Sequence, residues 1–230
     1  INGSKIFISN SINADFITVV AKVGDGKGAK GMALFLVDTK TPGFSVGRKI
    51  EKFTTYCSDT GELFFADMKV PFDCRLGGED SDFKSAYRML TVDRIITAAI
   101  ALGNARAAYD AAFEYAKERE QFGRTIGSFQ AVQFKLVDML ATFEQAHLYT
   151  YHTAAMADRG EDVTKEAAIA KIVAGDGGCE ICQKALNIFG GYGLTMEYPA
   201  QRYLRDSFFP LIGGGTSDIM RLLTAKRMGL

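Results

Sequence analysis

The chain has little of what most readily announces a chemistry. Its 230 residues include two histidines, four cysteines and four prolines. His147 and His152 fall in one helical segment apart from every cysteine. Only Cys179-Glu180-Ile181-Cys182 has a C-x-x-C form, and neither a second pair nor a histidine cluster accompanies it. Its small-residue helical setting favours packing cysteines over zinc or a disulfide, so no metal is expected. With Cys57 and Cys74, this usage suits a reducing compartment. Charge of one sign is missing as well. Lys plus Arg and Asp plus Glu both number 27, leaving a formal net charge of zero. No long-range field gathers nucleic acid or an anionic membrane, and an anionic ligand has to be held by local groups. No run reaches the length of a membrane span, and no segment reads as a signal peptide.

What is present is an ordinary globular composition, 47% hydrophobic and 23% charged. The length suffices for one large or two modest domains. The chain opens Ile1-Asn2-Gly3-Ser4-Lys5-Ile6-Phe7-Ile8-Ser9-Asn10, a turn leading straight into a strand. That is an odd place for a natural N-terminus, and the expectation is a fragment.

Residues 1 to about 78 read as β-structure. Phe16–Ala21, Met32–Val37 and Glu62–Ala66 are short apolar runs rich in β-formers. Gly24-Asp25-Gly26-Lys27-Gly28, Thr41-Pro42-Gly43 and Ser58-Asp59-Thr60-Gly61 separate them as turns. Three or four strands at this spacing imply antiparallel sheet.

The period changes near residue 80. Phe129, Val132, Leu136, Met139 and Phe143 recur at +3, +4, +3 and +4, predicting one apolar face of a helix of about 30 residues. Ile96, Ile100, Leu102, Tyr109 and Phe113 mark a similar helix before it. A third covers about 164–188, where Gly175, Gly177 and Gly178 would each cost about 1 kcal/mol unless they allow close helix packing. A short helix near 198–207 and a last one from 217 complete the pattern. The fold class is therefore α+β, a partial antiparallel β-domain (1–78) followed by an antiparallel up-down four-helix bundle (79–230).

Three segments of this pattern carry candidate chemistry. Leu211-Ile212-Gly213-Gly214-Gly215-Thr216-Ser217-Asp218 is a glycine turn that opens a helix, with Thr216 or Ser217 as its N-cap. Arg119-Glu120-Gln121-Phe122-Gly123-Arg124 through Phe129-Gln130 links two long helices; taken alone it reads more readily as an αα-turn with a solvated Arg than as a loop holding a phosphate-bearing ligand with Arg119 as a pyrophosphate clamp. Asn187-Ile188-Phe189-Gly190-Gly191-Tyr192-Gly193 holds more glycine than a helix stop needs, as if another surface pressed on this backbone.

With Val70-Pro71 and Leu204-Arg205-Asp206, these segments make the chain resemble the C-terminal 60% or so of a flavin-dependent acyl-CoA dehydrogenase, end to end. The resemblance implies an FAD cofactor, an acyl-CoA substrate, reoxidation by an electron-transferring flavoprotein and assembly as a homotetramer. Its home would be a bacterial cytoplasm or the mitochondrial matrix. By the same resemblance, Phe7, Ile8 and Ser9 lie against the flavin ring. Arg119, Gln121, Phe122, Phe129 and Gln130, with Asn187, Ile188, Phe189, Gly190 and Gly191, meet the adenosine and pyrophosphate of a neighbouring subunit's FAD. Thr216, Ser217 and Asp218 meet the subunit's own FAD.

Many members of the family carry their catalytic Glu just before the Gly-Thr of the last loop; this chain has Gly214 there, and Gly213 where a bulky Tyr often stands. Glycine accepts no proton. A minority place a Glu on the first bundle helix, and the matching residue is Asp93, in Leu90-Thr91-Val92-Asp93-Arg94. Asp93 is thus the expected base, with a reach about 1.5 Å shorter than Glu. Arg94 would hold its carboxylate. The Gly214 N–H would still polarise the thioester carbonyl. Thr91, Asp93, Arg94, Gly213, Gly214 and Gly215 form the expected acyl site, and the two glycines favour a branched or alicyclic acyl group. Rival readings are a 1,4-dehydrogenase of a cyclic acyl-CoA, an enoyl-CoA reductase, or a non-catalytic subunit of a heteromer. The isolated fragment is expected to be inactive.

Overall fold

The computed structural model describes residues 1–24, 31–77 and 84–230. Most of the turn expected at Gly24–Gly28, and the expected boundary at 78/79, lie outside them. The chain divides into two compact units, Ile1–Met89 and Leu90–Leu230.

In the first unit the strands are β1 (Gly3–Ser9), β2 (Phe16–Lys22), β3 (Met32–Asp38), β4 (Phe44–Lys49) and β5 (Thr60–Phe65). All pairings are antiparallel, giving a sheet of order β1-β5-β4 and a hairpin β2-β3. Alternation along β5 puts Leu63 and Phe65 inward and leaves Phe64 exposed, the period-two pattern of a half-buried strand. Leu63 and Phe65 join Val19, Val37 and Met68 in the core of the unit. β4 is the fourth strand, for which no apolar run was named; it follows directly on the expected turn at Thr41–Gly43. Its Gly47 and two cations obscure the pattern, but Arg48 pairs with Glu62 across the strands at 3.1 Å. β1 is irregular: its register with β5 shifts between Lys5 and Ile8, as at a bulge.

The second unit contains most of α1 (Lys84–Glu118), then α2 (Gln130–Asp158), α3 (Thr164–Phe189), α4 (Ala200–Ser207), a one-turn α5 (Phe209–Ile212) and α6 (Ser217–Arg227). Strands followed by a helical bundle make the fold α+β. On α2 the expected stripe is inward, with Leu136, Met139 and Phe143 buried; Phe129 precedes the helix as its N-cap residue. On α1 the expectation holds in part. Leu102 is buried and Tyr109 packs against the core half-buried, but Ile96, Ile100 and Phe113 are exposed, and the rest of the buried apolar face is alanine: Ala98, Ala101, Ala105, Ala108, Ala112 and Ala116. Small side chains there let a neighbouring helix approach closely. Gly178 of α3 uses that space, since a Cβ on it would stand 3.3 Å from the Ala101 carbonyl oxygen. Gly177 abuts Thr142 of α2, and Gly175 faces Pro210 and Leu211. α3 is therefore one unbroken helix despite its glycines.

Between α1 and α2, β6 (Glu120–Gln121) and β7 (Arg124–Thr125) form a minimal hairpin. Its two central residues, Phe122 and Gly123, have φ of 56° and 77°, the positive values a two-residue hairpin requires. Cys179 and Cys182 are buried in α3, where burial pushes the Cys182 thiol up to about 12, in keeping with packing cysteines. Among the described residues no helix is long and apolar enough to cross a membrane.

Candidate active site

The glycine turn connects α5 to α6. Gly213 is extended, whereas Gly214 and Gly215 have φ of 68° and 104°, a region costly for side-chain-bearing residues. Thr216 settles the N-cap question: its hydroxyl accepts a hydrogen bond from the Ile219 N–H at 3.2 Å. The Ser217 hydroxyl donates instead to Asp176 at 2.9 Å, and Asp218 pairs with Arg221 at 3.3 Å.

Asp93 of α1 lies against this turn. Its Oδ2 is 3.0 Å from the point a Cβ on Gly214 would occupy, and the Thr97 hydroxyl is 3.3 Å from that point. Asp93 and Gly214 are both exposed, so the pair borders open surface. Thr91 and Arg94, by contrast, are each only 7% exposed. Three positions apart, they share the inward face of α1, behind Asp93. Gly213 opens no free room. A Cβ there would stand 2.7 Å from a ring carbon of Phe209, which fills the space that two successive glycines had suggested was vacant.

Lys171 of α3 is 1% exposed, and its ammonium donates to the carbonyls of Pro210 at 2.7 Å and Gly215 at 2.6 Å. Its Cε is 3.6 Å from the Gly214 Cβ point. Burial pushes this ammonium down to about 8; Arg94 acts in the same direction, while Asp176 and Asp93 oppose it. Asp176 also accepts from Arg221 at 2.6 Å. Sequence reasoning missed Thr97, Lys171 and Asp176. Thr97 follows Asp93 by one helical turn, and Lys171 is the lone charge in the apolar run Ala167–Ala174; both were readable signals.

A second concavity, a cleft of about 500 Å³, lies where α1 ends and α3 ends. It gathers the expected Arg119, Gln121, Ile188, Phe189, Gly190 and Gly191, and adds Tyr115, Ile126, Tyr192 and Thr195. Tyr115 stacks on Phe189 with centroids 4.4 Å apart, and the Arg119 guanidinium lies 5.5 Å from the Tyr192 ring centroid. No atom comes within 4 Å of a Cβ built on Gly190 or Gly191. Phe122, Phe129, Gln130 and Asn187 do not line the cleft. Phe122 is 92% exposed and meets Phe129 edge-on, while Asn187 gives its carbonyl to the Gly190 N–H that ends α3.

In the first unit, Phe7 is 69% exposed at φ 59°, on the bulge that Ile8 and Ser9 follow. A bulky residue held in the left-handed region on an exposed strand marks stored strain, which clusters at functional sites.

Comparison with known proteins gives the family. The acyl-CoA dehydrogenase middle-domain family model matches residues 1–68, and the C-terminal-domain model matches residues 83–229. Benzylmalonyl-CoA dehydrogenase of Aromatoleum aromaticum is 44% identical over 229 residues, 99% of this chain and 60% of that protein. The structure of butyryl-CoA dehydrogenase from Megasphaera elsdenii superposes with a TM-score of 0.96 at 41% identity, covering 100% of this chain and 60% of its own. An FAD complex of PigA superposes with a TM-score of 0.94 at 30% identity, with the same coverage. The chain spans about 60% of the length of these relatives. With both domain models matched in order along it, the chain belongs to the acyl-CoA dehydrogenase family.

Proposed function

We propose that this chain supplies the bundle side of an FAD-dependent acyl-CoA dehydrogenase site, with Asp93 as the base that removes the α-proton of an acyl-CoA thioester. The observation that carries this reading is the Asp93 carboxylate beside Gly214, at the position where many members of the family keep their Glu. Glycine at 214 leaves the carboxylate of Asp93 as the acid–base group at the turn. The Gly214 N–H serves as a donor to the thioester oxygen, stabilising charge that develops there as the α-proton leaves. Arg94, the next residue along α1, is buried on the inward face of that helix.

The residues present fit part of a flavin site. The cleft beside Arg119 is of ligand size, and the bare backbone of Gly190 and Gly191 lets a planar or phosphorylated group approach closely. Arg119 and Gln121 would hold the pyrophosphate and adenosine end of a neighbouring subunit's FAD, with Phe122, Phe129, Gln130 and Asn187 around it. Phe7, Ile8 and Ser9 would face the ring, and Thr216, Ser217 and Asp218 the subunit's own cofactor. Bound FAD supplies the hydride acceptor for the β-carbon. A site shared in this way requires a homotetramer, and an electron-transferring flavoprotein would take up the electrons. Gly213 no longer argues for a large acyl group, because Phe209 occupies its space. Support for a branched or otherwise substituted acyl chain comes instead from the similarity to benzylmalonyl-CoA dehydrogenase.

The test is Asp93→Asn in the full-length flavoprotein, reading exchange of the α-proton of butyryl-CoA and isovaleryl-CoA in D2O. The expected result is a loss of 100-fold or more with FAD content unchanged. Unchanged exchange removes Asp93 as the base.

A further inference from the structure

We propose that Lys171 is the positioning residue of the glycine turn, its ammonium holding the turn in the conformation that sets Gly214 against Asp93. The catalytic consequence rests on the function proposed above; the positioning itself rests on geometry. A buried ammonium is expensive to desolvate, and a Leu or Met of similar size would fill the same space without that cost. Lys171 is nevertheless 1% exposed, in a helix face otherwise built of Ala167, Ala170, Ala174 and Gly178. Its charge is spent on the carbonyls of Pro210 and Gly215, the two sides of the segment that contains Gly213 and Gly214.

That segment needs an outside anchor. Three successive glycines carry no side chain with which to hold themselves, and an unanchored glycine run loses more conformational entropy on ordering than any other. α5 is a single turn and leaves its last carbonyls without helical partners. One ammonium with three donors meets both needs at once. The Cε that carries this ammonium stands 3.6 Å from the Gly214 point that Asp93 approaches to 3.0 Å, so the Lys171 side chain and the carboxylate flank one residue.

The charges facing Lys171 are Asp93 and Arg94 on α1 and Asp176 on α3, and their balance sets when the anchor loses its proton. Neutral lysine still donates, but its hydrogen bonds to carbonyls are weaker than those of the charged form. The turn should therefore slacken as pH rises past the Lys171 titration. A guanidinium at 171 stays charged throughout this range and would not slacken.

The experiment is rapid-mixing flavin bleaching by butyryl-CoA and isovaleryl-CoA in the full-length flavoprotein, comparing wild type with Lys171→Met and Lys171→Arg between pH 6.5 and 9.5. Lys171→Met is expected to lower the limiting bleaching rate tenfold or more while half-saturating acyl-CoA and FAD per chain stay within twofold. Wild type should lose rate along an alkaline limb near pH 8, and Lys171→Arg should bleach without that limb. An unchanged limiting rate in Lys171→Met overturns the proposal. If that variant does not retain FAD, the pH profile of Lys171→Arg decides, and persistence of the limb overturns it. Asp93→Asn reports separately: retained α-proton exchange there sinks the assigned base and leaves the anchor standing.

Discussion

The Oδ2 atom of Asp93 stands 3.0 Å from where Gly214 would place a Cβ, so a side chain at 214 would push the carboxylate aside. Gly214→Ala tests this crowding. The substitution forces a side-chain-bearing residue to φ 68° and crowds the carboxylate. The backbone alone costs about 1–2 kcal/mol, or roughly 3–6 °C in thermal midpoint for a chain of this size. Thermal unfolding followed by circular dichroism measures it, and an unchanged midpoint contradicts the described turn.

Lys171 gives the stability a pH dependence of unusual sign. Its ammonium is pushed down to about 8 in the native state from 10.5. Between these values the unfolded chain holds a proton that the native chain has released, so stability rises with pH across that window. Below about 8 the native state carries the full burden of a buried charge, on the order of 3–4 kcal/mol at about 1.4 kcal/mol per unit. Urea midpoints at pH 7.5, 9 and 10.5 should climb in wild type relative to Lys171→Met. Parallel curves would show that Lys171 titrates as an ordinary lysine.

The glycines of α3 should respond in opposite senses. Gly175→Ala meets its nearest neighbours at ordinary contact distance, 3.5 Å, and gains helix propensity, so it should stabilise by about 0.5–1 kcal/mol. Gly178→Val pushes a branched side chain toward the Ala101 carbonyl and should destabilise by about 1–3 kcal/mol. Denaturant titrations of the two variants side by side make the comparison; equal effects would refute the close α1–α3 approach.

Arg119→Ala should leave stability nearly intact, because this side chain borders an open cleft. Flavin per chain in the full-length protein should fall several-fold. Arg119→Lys should recover less than half, since a point charge lacks the fork that grips two phosphate oxygens. The ratio of flavin to protein absorbance reads both variants, and full retention in Arg119→Ala would detach Arg119 from the cofactor.

The elements that followed local rules were legible. Leu136, Met139 and Phe143 announced α2 because large apolar side chains at helical spacing have one way to be buried. Leu102 on α1 was legible in the same way, but the alanine face around it was obscured because alanine carries little hydrophobic signal, and Ile96 and Ile100 stand exposed beside it. β4 was hidden by Gly47 and its two cations, whose fit depends on Phe64 and Glu62 across the sheet. The glycine turn and Asp93 were readable as motifs, yet Lys171 and Phe209 were not assigned to them. Residues 93, 171, 209 and 214 converge only through tertiary packing, and no periodicity within one segment encodes that meeting.

α3 carries Lys171 at one point and Phe189 beside the cleft eighteen positions later, without a break. At about 1.5 Å per residue it acts as a ruler roughly 27 Å long. Inserting or deleting one residue between these positions would swing one end by about 100° against the other. Natural length variation in this family should therefore collect in the loops and leave the span from 171 to 189 uninterrupted.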